Sequence, residues 1–311
     1  MTTALVTHPA SLTHVTPPGH PEQVARLEYV LAALEAERFA DLRRETAPLV
    51  ADDDLLRCHP LDYIQLIRDS VPDSGWRPLD ADTHMSPGSL DASLRGAGAN
   101  VKAAELVITG EAANAFAAVR PPGHHAERAT AMGFCFFGNV SIAAKNALDH
   151  HGLGRVAILD FDVHHGNGTQ DLVEEDARIF FASSHQMPLY PGTGAAHETG
   201  AHDNVLNVPL APGTGSSGFR RAWQDQILPA CADFRPDMVF VSAGFDAHRA
   251  DPLANLELTE DDFAWVTRAI CDLADDTADG RVVSTLEGGY DLSALAASTA
   301  AHVAVLMERG A

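Results

Sequence analysis

The chain has 311 residues, 46% of them hydrophobic, with 24 Gly and 18 Pro spread along it, so it can bury a sizeable core and is not of disordered composition. Lys plus Arg number 21 against 43 Asp plus Glu, and the resulting formal charge of -22 repels a phosphate backbone and argues against a nucleic-acid partner. No segment approaches a membrane span, the opening MTTALVTHPASLTHV lacks signal-peptide character, and four scattered cysteines (Cys58, Cys135, Cys231, Cys271) without a C-x-x-C pair suit reduced thiols, so a cytoplasmic protein is expected.

In chain order, Val24, Leu27, Val30, Leu31 and Leu34 carry helical spacing. Apolar runs rich in β-branched and aromatic residues then predict buried strands at Ala115–Val119, Val156–Leu159, Ile179–Ala182 and Val205–Leu210. Phe219, Trp223, Ile227 and Leu228 predict a further helix, followed by a strand at Met238–Ser242. Thr259 with Asp262 three residues on forms a capping-box start for a helix whose apolar stripe is Phe263, Val266 and Ile270. A last strand falls at Val282–Leu286. The alternation runs without linker or repeat, which predicts one α/β domain over 1–311: a three-layer fold with a central, mainly parallel sheet flanked by helices.

Ligand sites in such sheets lie beyond the carboxyl ends of the strands, and four strands are followed there by polar, glycine-containing loops: RPPGHH, DFDVHHGNG, AGFDAH and EGGY. Asp160, Asp162 and His164 would project the same way if extended geometry continued past their strand. Asp162 and His164 with Asp246 would give three metal ligands and leave a position free for water, the pattern of a catalytic rather than a structural zinc site. His124 and His125, on a loop stiffened by two prolines, suit acid/base work, and Tyr290, after two glycines, can donate to an oxyanion. Each of these residues taken singly has an ordinary structural reading, as a cap, a packed ring or a solvated side chain.

Together with HPEQVAR, GFCFFGN, PGTG and GFDAHRADPL, these stretches resemble the histone deacetylase family on the arginase-like fold, and more closely its class II and bacterial amidohydrolase branch. The resemblance implies zinc-dependent hydrolysis of an acyl amide such as acetyl-lysine, presented on a peptide or a small molecule. Asp162, His164 and Asp246 would hold the zinc, His125 would be base and acid, and His124 its electrostatic partner, oriented by Asp160. Asn167 would orient His125, Tyr290 would stabilise the oxyanion, and Arg26 would line an internal exit path. A structural potassium would use Asp160, Asp162, His164, Ser183 and Ser184. Phe134 and Tyr190 would wall a narrow slot beside Gly133, in a chain where classical members carry phenylalanine at the Tyr190 position. Leu253 stands where a polyamine-selective relative carries a gatekeeping glutamate. Acetylpolyamine amidohydrolysis, a two-manganese ureohydrolase, a catalytically silent acyl-lysine-binding module and a homo-oligomeric state stay open at this stage, and the loop from Asp80 to Ser89 is expected to border the pocket.

Overall fold

The computed structural model describes residues 2–310. Ten strands follow one another: β1 Thr3–Thr7, β2 Arg43–Thr46, β3 Arg77–Pro78, β4 His84–Met85, β5 Asn114–Ala117, β6 Val156–Asp160, β7 Ile179–Gln186, β8 Val205–Leu210, β9 Met238–Ala243 and β10 Val282–Leu286. Eight of them form one wholly parallel sheet in the order β2-β1-β5-β10-β9-β6-β7-β8, and β3 and β4 form a small antiparallel hairpin. The helices are α1 Val24–Ala33, α2 Asp52–Leu55, α3 Leu61–Asp69, α4 Ser89–Ile108, α5 Asn139–Asp149, α6 Asn167–Val173, α7 Ser216–Ala222, α8 Leu228–Phe234, α9 Glu260–Thr277 and α10 Leu292–Gly310.

Alternate residues of each central strand face opposite cores, as the two-residue period requires. Leu5, Phe116, Leu159 and Val241 join one apolar cluster with residues of α1, α9 and α10, while Val6, Ala117, Ile158 and Phe240 join another with residues of α3, α4 and α5. With both faces covered, every residue of β5, β6, β9 and β10 is buried, which is why these strands read as unbroken apolar runs. Burying each large apolar side chain contributes about 1.5–3 kcal/mol, so the strand ends are held on a stiff frame.

The six expected strands all form, with boundaries shifted by a few residues, and α9 opens on the expected capping box, Thr259 N–H donating to Asp262 at 3.1 Å. β7 runs on to Gln186 through the polar but buried SSHQ stretch, and β1 and β2 are additional; edge strand β2, RRET, carries no apolar signal. The expected helix through Phe219 and Leu228 is continuous but holds a π-turn at Trp223–Ile227 just ahead of Pro229, whose missing N–H disrupts the regular hydrogen-bond ladder.

Candidate functional site

Strands β5, β10, β9 and β6 are consecutive in the sheet, so the four polar loops beyond them meet above one edge. The extended ladder expected from Asp160 to His164 does not continue, because β6 stops at Asp160. Asp160 Oδ1 accepts from the Asp162 N–H at 3.0 Å, and Asp162 Oδ1 accepts from the His164 N–H at 2.9 Å, so each carboxylate closes a turn on the amide two residues ahead. The turn sends Asp160 toward His124 and brings Asp162 and His164 against Asp246. Ligand atoms of Asp162, His164 and Asp246, all buried, lie within 4.8 Å of one another; among the described residues this is the one such group.

Backbone amides lock the loops together: Val163 N–H donates to Asp246 Oδ1 at 2.9 Å and Gly288 N–H to Asp162 Oδ2 at 2.8 Å. A Cβ on Gly288 would lie 2.0 Å from Asp246 Oδ2 and 2.5 Å from Asp162 Oδ2, so only glycine lets this backbone approach the two carboxylates.

His164 Nδ1 sits 3.1 Å from both Asp162 Oδ1 and Asp246 Oδ2. Burial works against its charged form, but the two carboxylates outweigh it and push the imidazole up to about 10. Asp246 is raised, by burial and then by Asp162. Two buried carboxylates drawing a proton onto one imidazole is a cluster short of positive charge, and hard oxygen donors with one nitrogen suit a divalent cation with a coordination position left open.

Beside the triad, His124 Nδ1 pairs with Asp160 Oδ2 at 3.0 Å, and despite burial the carboxylates of Asp162 and Asp160 push it up to about 10. His125, its ring 4.0 Å from that of His124, bonds through Nδ1 to Asn167 Oδ1 at 2.7 Å. Burial, then the neighbouring His124 and His164, hold it well below the ordinary histidine range. Opposed environments therefore separate two adjacent imidazoles into one charged and one neutral. The Tyr290 hydroxyl is held far above the ordinary phenol range by burial, so it stays protonated and able to donate.

A cavity of about 370 Å³ leads from the surface to His125, His164 and Tyr290, and Gly133, Phe134, Tyr190 and Leu253 also line it. Gly133, at φ 55°, packs on His125, where a Cβ would lie 2.4 Å from the ring. Asp82 and His84 line it too, so the Asp80–Ser89 loop does border the pocket. Asp80 Oδ1 shapes that loop by accepting from the Asp82 and Thr83 amides, and Thr83 Oγ1 accepts from Phe134 N–H at 3.0 Å. His20, Pro21, Ala81 and Leu189 complete the lining, and none was singled out by itself from the sequence, although His20 and Pro21 lie in the HPEQVAR stretch.

Arg26 lies outside the lining. It is fully buried 4.8 Å from the Tyr290 ring and donates to the carbonyls of Gly289 and Glu287, both at 2.5 Å, bracing the strand end that carries Tyr290. Asp251, unmarked in the sequence, accepts from Tyr290 N–H at 2.7 Å. Ser183 is the register partner of Asp160, yet its hydroxyl bonds His185 Nδ1 at 2.9 Å, and that of Ser184 accepts from Trp223 Nε1 at 3.0 Å. Asp160 is thus next to β7, while both serine hydroxyls already have partners.

The model of the histone deacetylase domain matches residues 20–306. The chain belongs to the histone deacetylase family. A histone deacetylase-like amidohydrolase of Pseudomonas aeruginosa is 40% identical over 284 residues, covering 89% of this chain and 74% of the relative. A probable deacetylase of Archaeoglobus fulgidus is 39% identical over 301 residues, covering 94% of this chain and 82% of the relative. Among solved structures, the crystal structure of the HDA15 HD domain superposes with a TM-score of 0.91 at 32% identity, over 98% of this chain and 88% of that one. The fold is thus the histone deacetylase fold, and the protein is a deacetylase-family hydrolase acting on amides. The family is metal-dependent, which agrees with the charge-deficient Asp162–His164–Asp246 cluster. No described helix is long and apolar enough to cross a membrane.

Proposed function

We propose that the protein hydrolyses the amide of an acylated amine, acetyl-lysine or a related small acyl amide, with zinc held by Asp162, His164 and Asp246. The observation that carries this reading is the convergence of His164, His125 and Tyr290 on one cavity, with the buried carboxylates of Asp162 and Asp246 against His164. Zinc there supplies Lewis acidity toward the acyl carbonyl and the attacking water.

The side chains do the rest. His125, neutral and hydrogen-bonded through Nδ1, takes the water proton at Nε2 and returns it to the departing nitrogen, so that the product leaves as an amine. His124, charged against Asp160, holds positive potential beside it and disfavours a second charge on His125 until the proton arrives. Tyr290 donates its hydroxyl proton in a hydrogen bond to the developing oxyanion. Phe134 and Tyr190 wall the slot through which an aliphatic acyl-amine chain passes, with Leu253 at its rim. A structural potassium at Asp160, Asp162, His164, Ser183 and Ser184 would draw on backbone carbonyls rather than on the two engaged serine hydroxyls.

Acetylpolyamine hydrolysis is the second reading, favoured by the half-buried carboxylate of Asp82 in the cavity lining and disfavoured by the apolar Leu253. Turnover across acetyl-lysine peptides, acetylpolyamines and longer acyl amides separates the two. Chelation should abolish activity and added zinc restore it. Tyr290→Phe should keep the metal and lose ~10²- to 10³-fold in kcat, as for loss of one oxyanion donor. Near wild-type turnover of Tyr290→Phe, or activity indifferent to chelator, overturns the reading.

A further inference from the structure

We propose that Glu127 is a positioning residue that fixes the flip of the Asn167 amide and, through it, the tautomer of His125; this rests on the reading of His125 as the base. His125 Nδ1 lies 2.7 Å from Asn167 Oδ1. An amide oxygen only accepts, so Nδ1 carries the hydrogen and Nε2 keeps the lone pair that proton abstraction needs. That holds only while Asn167 presents its oxygen rather than its NH2 to the ring, and the ring alone cannot enforce the choice, since the opposite tautomer would pair equally well with a flipped amide.

What breaks the tie lies at the other end of the amide. Asn167 Nδ2 donates to Glu127 Oε1 at 2.8 Å and to Met132 Sδ at 3.3 Å. An ionised carboxylate and a thioether are both acceptors without a hydrogen to give. Flipping Asn167 would set its oxygen against two acceptors and its NH2 against His125 Nδ1, which would force the hydrogen onto Nε2 and remove the base.

The carboxylate is itself held in place. Glu127 N–H donates to Thr130 O at 3.0 Å in a tight turn, Arg128 N–H donates to Asp171 Oδ2 at 2.7 Å, and Thr169 N–H donates to His124 O at 3.0 Å. Gly168 packs so closely on this loop that a Cβ would lie 2.4 Å from Ala126 O. The histidine loop and the start of α6 thus form one unit, with the chain His125–Asn167–Glu127 running through it. Glu127 is only partly buried, so it can be replaced with little risk to folding.

The test compares Glu127→Leu, which removes the acceptor, with Glu127→Gln, which keeps the length but can turn either an oxygen or an NH2 toward Asn167. Both are assayed as full-length, zinc-loaded protein for kcat and KM on an acetyl-lysine substrate, and 15N spectra of histidine-labelled protein report the His125 tautomer. Glu127→Leu should lose ~10- to 100-fold in kcat, the usual effect of removing such an outer partner, with KM and metal content unchanged and the Nδ1–H tautomer no longer dominant. Glu127→Gln should lie between Glu127→Leu and wild type in both kcat and tautomer population, because its own amide can flip together with that of Asn167. Wild-type kcat and tautomer in Glu127→Leu overturn the proposal, as does a Glu127→Leu variant that loses kcat while the Nδ1–H tautomer stays dominant. Because the tautomer is read without turnover, it still tests the positioning role if the wild-type protein proves inactive on acyl amides.

Discussion

Two buried clusters of charge sit within this fold, and they are balanced differently. In the first, Glu22 meets Arg120 Nε and Nη2 at 2.5 and 2.6 Å, Arg26 Nη1 at 3.0 Å and His14 Nε2 at 3.3 Å, all without exposure beyond 1%. The two guanidiniums also donate to backbone carbonyls of Ser11, His14, Glu22, Glu287 and Gly289. Burial alone would raise Glu22, but Arg120, His14 and Arg26 hold it well below the ordinary carboxylate range. In the second, Asp162, Asp246, Asp160, Glu287 and Asp251 share the cations His124 and His164, and burial pushes Asp160 up to about 6 and Glu287 and Asp251 to about 7. The first cluster is complete as protein; the second lacks positive charge where its ligand atoms converge. A protein stabilises the first by itself and leaves the second for a cation to finish.

The largest effect should come from filling the place where the second cluster closes. Gly288→Ala puts a methyl group against Asp246 and Asp162, so the variant should lose stoichiometric metal and all activity above background while still unfolding cooperatively. Metal analysis of the purified protein beside a thermal melt decides this, and bound metal in the variant would show that the two carboxylates can part without cost. Breaking the first cluster should act on stability instead. Glu22→Gln leaves two buried guanidiniums facing a neutral group, and denaturant titration should show a loss of about 3–5 kcal/mol, with metal content per folded molecule unchanged.

The difference between the clusters was only half legible in the sequence. Parallel strands buried on both faces announce themselves as apolar runs, and the loops after them announce polar chemistry, so β5, β6, β9 and β10 and their site residues could be placed together. Arg26 could be named by resemblance, and its bond to Glu22 is a local pair four residues apart, but the pairing of Glu22 with Arg120 spans 98 residues and leaves no local pattern. Asp251, Asp82 and Glu127 were missed for the same reason: each acts through a tertiary contact to a backbone amide, a cavity wall or another side chain. The expectation of an extended ladder failed because Asp160 and Asp162 spend their carboxylates on turns, a choice made by local hydrogen bonds rather than by strand period.

The smallest effect is a pH dependence that only the charge-deficient cluster should show. In the metal-free protein His164 is raised to about 10, so below that pH it holds a proton on the lone pair that a metal needs. Displacing one proton makes metal affinity fall by about tenfold per unit as pH drops from 9 to 6, a slope of roughly 1.4 kcal/mol per unit. Competition with a chelator of known affinity across that range measures it. The His164 proton is stabilised by the same two carboxylates that would ligate the cation, so proton and metal occupy one vacancy of charge and must exclude each other. A flat profile would mean that His164 is neutral before the metal arrives, and the two clusters would then differ in geometry but not in charge.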